Sequence, residues 1–263
     1  MRIKKGDIVG RKSYNKDIYF IVDRIINKQI AILKGLNIRV MADSPLEDLE
    51  EIKKQDIINN LKVFEIDFEN RIKKNIQKCA RQKVYTGKIL HLDGDRKYSE
   101  ESARYYNKMG LNAIVKNITE NRQANVVVPL LKKYNPDILI ITGHDAMLRN
   151  GTNYNNLYNY RNSSHFINTV KAARTWGKSS NKLVIFAGAC KSFYEGLISA
   201  GADFASSPGR ILIDFIDPLI VAEKIAITEE YKFVTSYEIY KEIREGERGI
   251  SGLGARGKRR IIE

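Results

Sequence analysis

From Lys88 to Ser207 the chain alternates short, continuously apolar runs with amphipathic stretches, and few folds accept that pattern. The apolar runs are Lys88–Leu92, Ala113–Val115, Asp137–Thr142, Lys182–Ala187 and Asp203–Ser207. Between them the spacing predicts helices over Ser99–Met109, Ala124–Tyr134, Ser164–Thr175 and Phe193–Ala200. Strands without a polar face, separated by helices, belong to a parallel sheet covered on both sides. The expected class is α/β. No Gly-x-Gly-x-x-Gly follows the first strand and no Gly-x-x-x-x-Gly-Lys-Ser/Thr occurs, which disfavours dinucleotide and P-loop binding.

The flanking segments read differently. Gly6–Val9, Ile18–Val22, Gln29–Leu33 and Ile38–Val40 are β-branched or aromatic runs between turn-like breaks, and predict a small SH3-like β-barrel over residues 1–50. Ser44-Pro45-Leu46-Glu47 carries the marks of a helix start, with a Ser cap, Pro in the first turn and Glu three residues on. Residues 51–83 have apolar positions at helical spacing (Leu61, Phe64, Phe68, Ile72, Ile76) and predict a helical bridge. The α/β domain then spans 84–228, and 229–263 is expected to be a helical, basic tail.

The 263 residues hold 45 Lys plus Arg against 31 Asp plus Glu, a formal charge of +14. A surface this basic binds anions non-specifically. Seven of the cations lie between Arg71 and Lys88 and five between Arg248 and Ile262, with no acid in either stretch. Both read as solvated linker and tail. A hydrophobic content of 43% supports a real core and excludes wholesale disorder. No apolar run approaches the ~20 residues needed to span a bilayer, and the N-terminus lacks a signal-peptide core. Two cysteines, Cys79 and Cys190, are too few for a disulfide framework or a Cys-only zinc site. A reducing cytoplasm with free thiols is expected, and no cofactor or metal.

Chemistry in open α/β sheets gathers beyond the carboxyl ends of the strands. The third run ends Thr142-Gly143-His144-Asp145 and the fourth ends Ala187-Gly188-Ala189-Cys190. If the two runs are neighbouring strands, their ends lie about 5 Å apart, and an imidazole and a thiol would face each other in a solvent-reachable crevice. That pairing suits nucleophilic catalysis: His144 draws the proton from Cys190 and returns it to the leaving amine. Backbone N–H groups at Gly143, Asp145, Gly188 and Ala189 are candidate oxyanion donors. Taken singly, Cys190 could be a small core residue. Only three histidines occur, however, and one of them ends the strand before it. His91, inside the first run, reads as packed, His165 as surface or substrate groove, and Cys79 as incidental.

These blocks resemble the caspase-like (clan CD) cysteine peptidases, whose His lies about fifty residues upstream of an Ala-Cys. More closely, Gly6–Val9, Leu92–Asp95, Ile141–Ala146, Phe186–Cys190 and Ala205–Pro208 resemble the YabG family of sporulation-specific proteases. The resemblance implies a caspase-like peptidase acting in the mother cell, associated with the forming spore coat. Its implied protein substrates are spore-coat and coat-morphogenetic proteins and germination-protein precursors, cut after Arg. It assigns Cys190 as nucleophile and His144 as general base and acid. It also calls for an acidic S1 residue, with Asp93 first and Asp95, Asp203 and Asp217 behind it. Where caspases have Gly after the histidine, this chain has Asp145. Arg256, Arg259 and Arg260 are implied sites of self-cleavage. No membrane partner and no specific nucleic-acid partner is expected. Two rivals stand beside this reading: a non-catalytic basic protein that binds nucleic acid or spore coat, and an amidase using the same dyad.

Overall fold

A computed structural model of the chain describes residues 3–79, 84–148, 153–176 and 183–261. The N-terminal unit comprises β1 (Ile8–Arg11), β2 (Tyr19–Ile26), β3 (Ile30–Gly35), β4 (Met41–Pro45) and β5 (Leu49–Glu51). They form one five-stranded antiparallel sheet in the order β4-β3-β2-β1-β5. A single long helix, α1 (Lys54–Cys79), leads out of it. Phe64 and Phe68 of α1 pack on Phe215, with ring centroids 5.2 and 5.4 Å away.

The second unit is built on a six-stranded sheet. Its strands are β7 (Ile89–Asp93), β8 (Ala113–Asn117), β9 (Ile138–Thr142), β10 (Val184–Ala187), β11 (Phe204–Ser206) and β13 (Ile250–Gly252), in the order β13-β11-β10-β9-β7-β8. All neighbours are parallel except β13. Between the strands run α2 (Arg96–Lys108), α3 (Glu120–Tyr134), α4 (Ser163–Trp176), α5 (Tyr194–Ser199) and α6 (Asp217–Ile227). Ile138 and Ile140 of β9 face a cluster that includes Tyr105 of α2 and Leu219 of α6. Leu139 and Ile141 face the opposite cluster, with Val127 of α3, Phe166 of α4 and Leu197 of α5. Strand side chains alternate between faces, so both faces must be apolar for such a sheet to be buried. That is why these runs carry no polar alternation.

Two expectations fail here. Ser44-Pro45-Leu46-Glu47 starts no α-helix: Leu46–Asp48 is a single 3-10 turn, and the chain goes straight into β5. The Ser44 hydroxyl donates to Asp48 instead of capping a helix, and β5 gains a full antiparallel partner in β1. The C-terminal segment is helical only at α7 (Ser236–Tyr240). Its remainder is sheet: β13 edges the main sheet, while β14 (Ala255–Arg256) pairs with β12 (Phe233–Val234). β15 (Arg260–Ile261) pairs with β6 (Val84–Tyr85). Ile250 is fully buried there, and Gly252 lies against the Asp203–Phe204 backbone where a Cβ would collide. A Gly-rich, Arg-rich stretch reads as solvated in sequence, but its missing side chains are what let it close on the sheet. Arg81 and Lys83 of the other basic stretch, and Lys182, lie outside the described residues.

Candidate active site

β9 and β10 are adjacent and in parallel register, with Ile141 opposite Ala187. The Gly188 N–H extends the ladder by donating to the Ile141 carbonyl at 3.0 Å. His144 and Cys190 each follow their paired strand residue by three positions, so the sheet delivers both to the same edge.

The two strand ends are tied to each other by Asp145. Its buried carboxylate accepts from the Ser192 hydroxyl at 2.9 Å, the Ser163 hydroxyl at 2.5 Å, and the Asn162 and Ala146 N–H groups at 2.8 Å each. Burial pushes its pKa up to about 6, against the pull of those donors. Asp145 thus works as the clasp of the two loops, a role beyond the backbone one expected of it.

His144 is fully buried. Its N–H donates to Glu120 at 2.8 Å. The ring lies between two carboxylates, with Asp95 3.9 Å from Nε2 and Glu120 4.0 Å from Nδ1. Tyr98 packs on the ring at 5.8 Å between centroids. Burial lowers the imidazole to about 4, so it is neutral at physiological pH. Glu120 carries no functional mark in the sequence, because an acid in the first turn of a helix normally reads as dipole compensation. The nearby glycines were the available signal: a Cβ at Gly94 or Gly143 would run into the Glu120 carboxylate.

Cys190 is also fully buried, among Val40 and Ile213. Its sulfur accepts from the Ile213 N–H at 3.4 Å and the thiol donates to the Ile213 carbonyl at 3.6 Å. Burial pushes the thiol up to about 12, against backbone hydrogen bonds from Ile213 and Arg39. The expectation of a solvent-reachable dyad is therefore corrected: both groups are covered and neutral. Cys190 is covered by the Ile38–Val40 segment of the N-terminal unit and the Leu212–Ile213 loop, and His144 by Tyr98, Asp95 and Glu120.

Two of the expected oxyanion donors are spent. The Gly188 amide serves the ladder, and the Ala189 amide donates to Ser192 Oγ at 2.9 Å. Gly188 still matters through its conformation (φ +117°), which packs it against Ser206.

Asp93 ends β7, fully buried. It pairs with the equally buried Arg39 and accepts from Thr142 Oγ1 and the Asp95 N–H, each at 2.8 Å. The Arg39 guanidinium lies 4.6 Å over the Tyr98 ring and 5.9 Å from Phe215. Despite burial, Arg39 holds Asp93 below the usual carboxylate range. Asp95 caps α2 by accepting from the Tyr98 N–H at 3.2 Å. Asp217 opens α6 near Cys190, accepting from the Asp214 N–H at 3.0 Å. Asp203 lies at the opposite end of the strands, where it holds Arg174 at 2.6 Å and the Ile185 N–H at 2.7 Å. His91 is packed as expected, 2.6 Å from Thr142 Oγ1 and 3.2 Å from the Tyr106 hydroxyl. Cys79 ends α1, away from both strand ends in sequence and outside the sheet.

The family model of YabG peptidase U57 matches residues 4–262. The chain belongs to the YabG peptidase family. It is 36% identical over 283 residues to the "Sporulation-specific protease YabG" of Bacillus subtilis (strain 168), covering 99% of this chain and 98% of that protein. No solved structure matches the chain. The YabG match runs through both units, so the N-terminal sheet and the α/β domain belong to one family unit. Among the described residues no helix is long and apolar enough to cross a membrane, and no group of three or more His, Cys, Asp or Glu could hold a metal ion.

Proposed function

We propose that the chain is a sporulation-specific cysteine endopeptidase in which Cys190 and His144 form the catalytic dyad and Asp93 selects Arg at P1. One observation carries the reading: the only described free cysteine and a histidine flanked by two carboxylates leave adjacent parallel strands at the same register. The β8-β7-β9-β10-β11 order, with the dyad at its carboxyl edge, supports a caspase-like domain. The N-terminal sheet, whose last strand returns to its first, supports an SH3-like unit over residues 1–50.

With the cover over Cys190 displaced, His144 removes the thiol proton while sulfur bonds to the carbonyl carbon after a P1 Arg. The oxyanion is held by the Asp145 N–H. As the C–N bond breaks, His144 gives its proton to the departing amine. Water then attacks the thioester and regenerates the thiol. Asp95 and Glu120, on either side of the ring, stabilise the imidazolium that forms in between. A cavity of about 580 Å³ bounded by Met41, Asp43, Ala146 and Lys191 continues from the site and suits the residues beyond the scissile bond.

Protein substrates follow from peptidase activity, and spore-coat, morphogenetic and germination-precursor proteins in the mother cell are the proposed ones. Incubating the purified chain with Arg-containing coat protein, beside Cys190→Ala and His144→Ala, tests this. Cleavage after Arg that falls by at least ~10³-fold in both variants supports the dyad. Cleavage that survives either substitution overturns it. Arg256 and Arg260 are both exposed, but Arg260 is paired with Glu230 and Arg259 with Glu229, so Arg256 is the candidate for self-cleavage.

A further inference from the structure

The group that fills the arginine pocket is the chain's own. We propose that Arg39 is an internal pseudosubstrate: its side chain occupies the Asp93 pocket and its backbone lies across the dyad, holding the peptidase latent until Leu36–Met41 is displaced. This rests on the reading of Asp93 as the P1 pocket and Cys190 as the nucleophile.

The main chain that follows Arg39 pairs with the backbone at the end of β9. Val40, the next residue, is buried in one apolar cluster with Cys190. Val40 forms an isolated parallel bridge with Asp145, and the Met41 N–H donates to the Asp145 carbonyl at 3.2 Å. The bridge lays the Asp145 backbone, with its N–H, alongside the Arg39–Val40 main chain. That amide is the proposed oxyanion donor. An added strand pairing on catalytic backbone, with alternate side chains in pockets, is the ordinary way an extended peptide is bound.

One feature departs from a productive substrate. The Val40 N–H donates to the Ile38 carbonyl at 2.8 Å, closing a three-residue turn centred on Arg39. The peptide after Arg39 is thus turned, where a substrate would run extended, which suits an occupant that is bound and not cut. The pocket also grips it incompletely. Nη1 meets Asp93 and Thr142, while Nε and Nη2 have no protein partner although buried. Buried donors left without partners cost free energy, so a better-satisfied arginine can compete for the same place.

The test uses the full-length chain, wild type and Arg39→Ala, with two probes: iodoacetamide alkylation of Cys190 read by mass spectrometry, and hydrolysis of a short arginyl anilide peptide. Removing the occupant is expected to speed alkylation about tenfold or more and to raise kcat/KM by a similar factor through a lower apparent KM. Arg39→Lys, which keeps a cation for Asp93, stays latent. Arg39→Gln, neutral, shorter and still polar, gives the same reading if Arg39→Ala does not fold. Equal rates for wild type and both neutral variants overturn the pseudosubstrate. Faster alkylation with no hydrolysis by any variant supports the cover over Cys190 and overturns the peptidase reading instead.

Discussion

The Ser192 hydroxyl donates to the Asp145 carboxylate at 2.9 Å, so the loop that follows Cys190 is fastened to the residue that follows His144. The same carboxylate holds Ser163 and Asn162 at the start of α4. Replacing Asp145 by Ala strips four donors, three of them in buried bonds, of their acceptor and should cost about 3 kcal/mol or more. Urea denaturation measures the loss. Activity should fall further than stability explains, because the two loops then move independently. An Asp145→Ala chain as stable as wild type would contradict the clasp.

Stability against pH follows from three buried groups. His91 titrates at about 3 and His144 at about 4 in the folded chain, against 6.5 when exposed. The unfolded chain therefore binds more protons between these values, and the stability the two imidazoles contribute is lost as pH falls from 6.5 towards 4. Asp145 acts oppositely: titrating at about 6 against 3.8, it favours the folded chain at low pH and ceases to do so as pH rises through 6. Wild type should thus lose stability on acidification less steeply than Asp145→Asn. Denaturation midpoints at pH 7 and pH 4.5 for the two proteins decide it, and parallel slopes would refute the assignment.

Arg39 and Asp93 form a buried pair between units. Asp93→Asn leaves a guanidinium without its counter-charge and should destabilise by about 3–5 kcal/mol. The double variant Arg39→Ala, Asp93→Asn should recover much of that loss. It should also cut the arginyl peptide more slowly than Arg39→Ala alone, by a factor on the order of 10²–10³, because the pocket no longer rewards a cation. Additive single effects would show that the two residues do not interact.

Glu120 is a positioning residue. It receives the His144 N–H and fills the space left by Gly94 and Gly143. Glu120→Ala should lower kcat by about 100-fold, as a misplaced base does, with KM little changed. Glu120→Gln keeps the acceptor but not the charge, so it should restore only part of the rate while moving the acid limb of the pH profile down. A KM effect alone would point to substrate contact instead.

Much of this protein was legible in one dimension. Apolar runs such as Ile138–Thr142 must lie between two helical layers, because no alternation gives them a wet face. The strand-end positions of His144 and Cys190 follow from the same runs, since a parallel sheet brings successive carboxyl ends to one edge. Only the folded chain decided how that edge is used. The partner of Asp93 lies 54 positions upstream in another unit, Glu120 reaches His144 across 24, and the edge strand Ile250–Gly252 hides in a stretch that reads as tail. Local sequence carries periodicity and turn chemistry. It carries no record of which distant side chain fills a pocket, because that choice is made by packing and charge once the units meet.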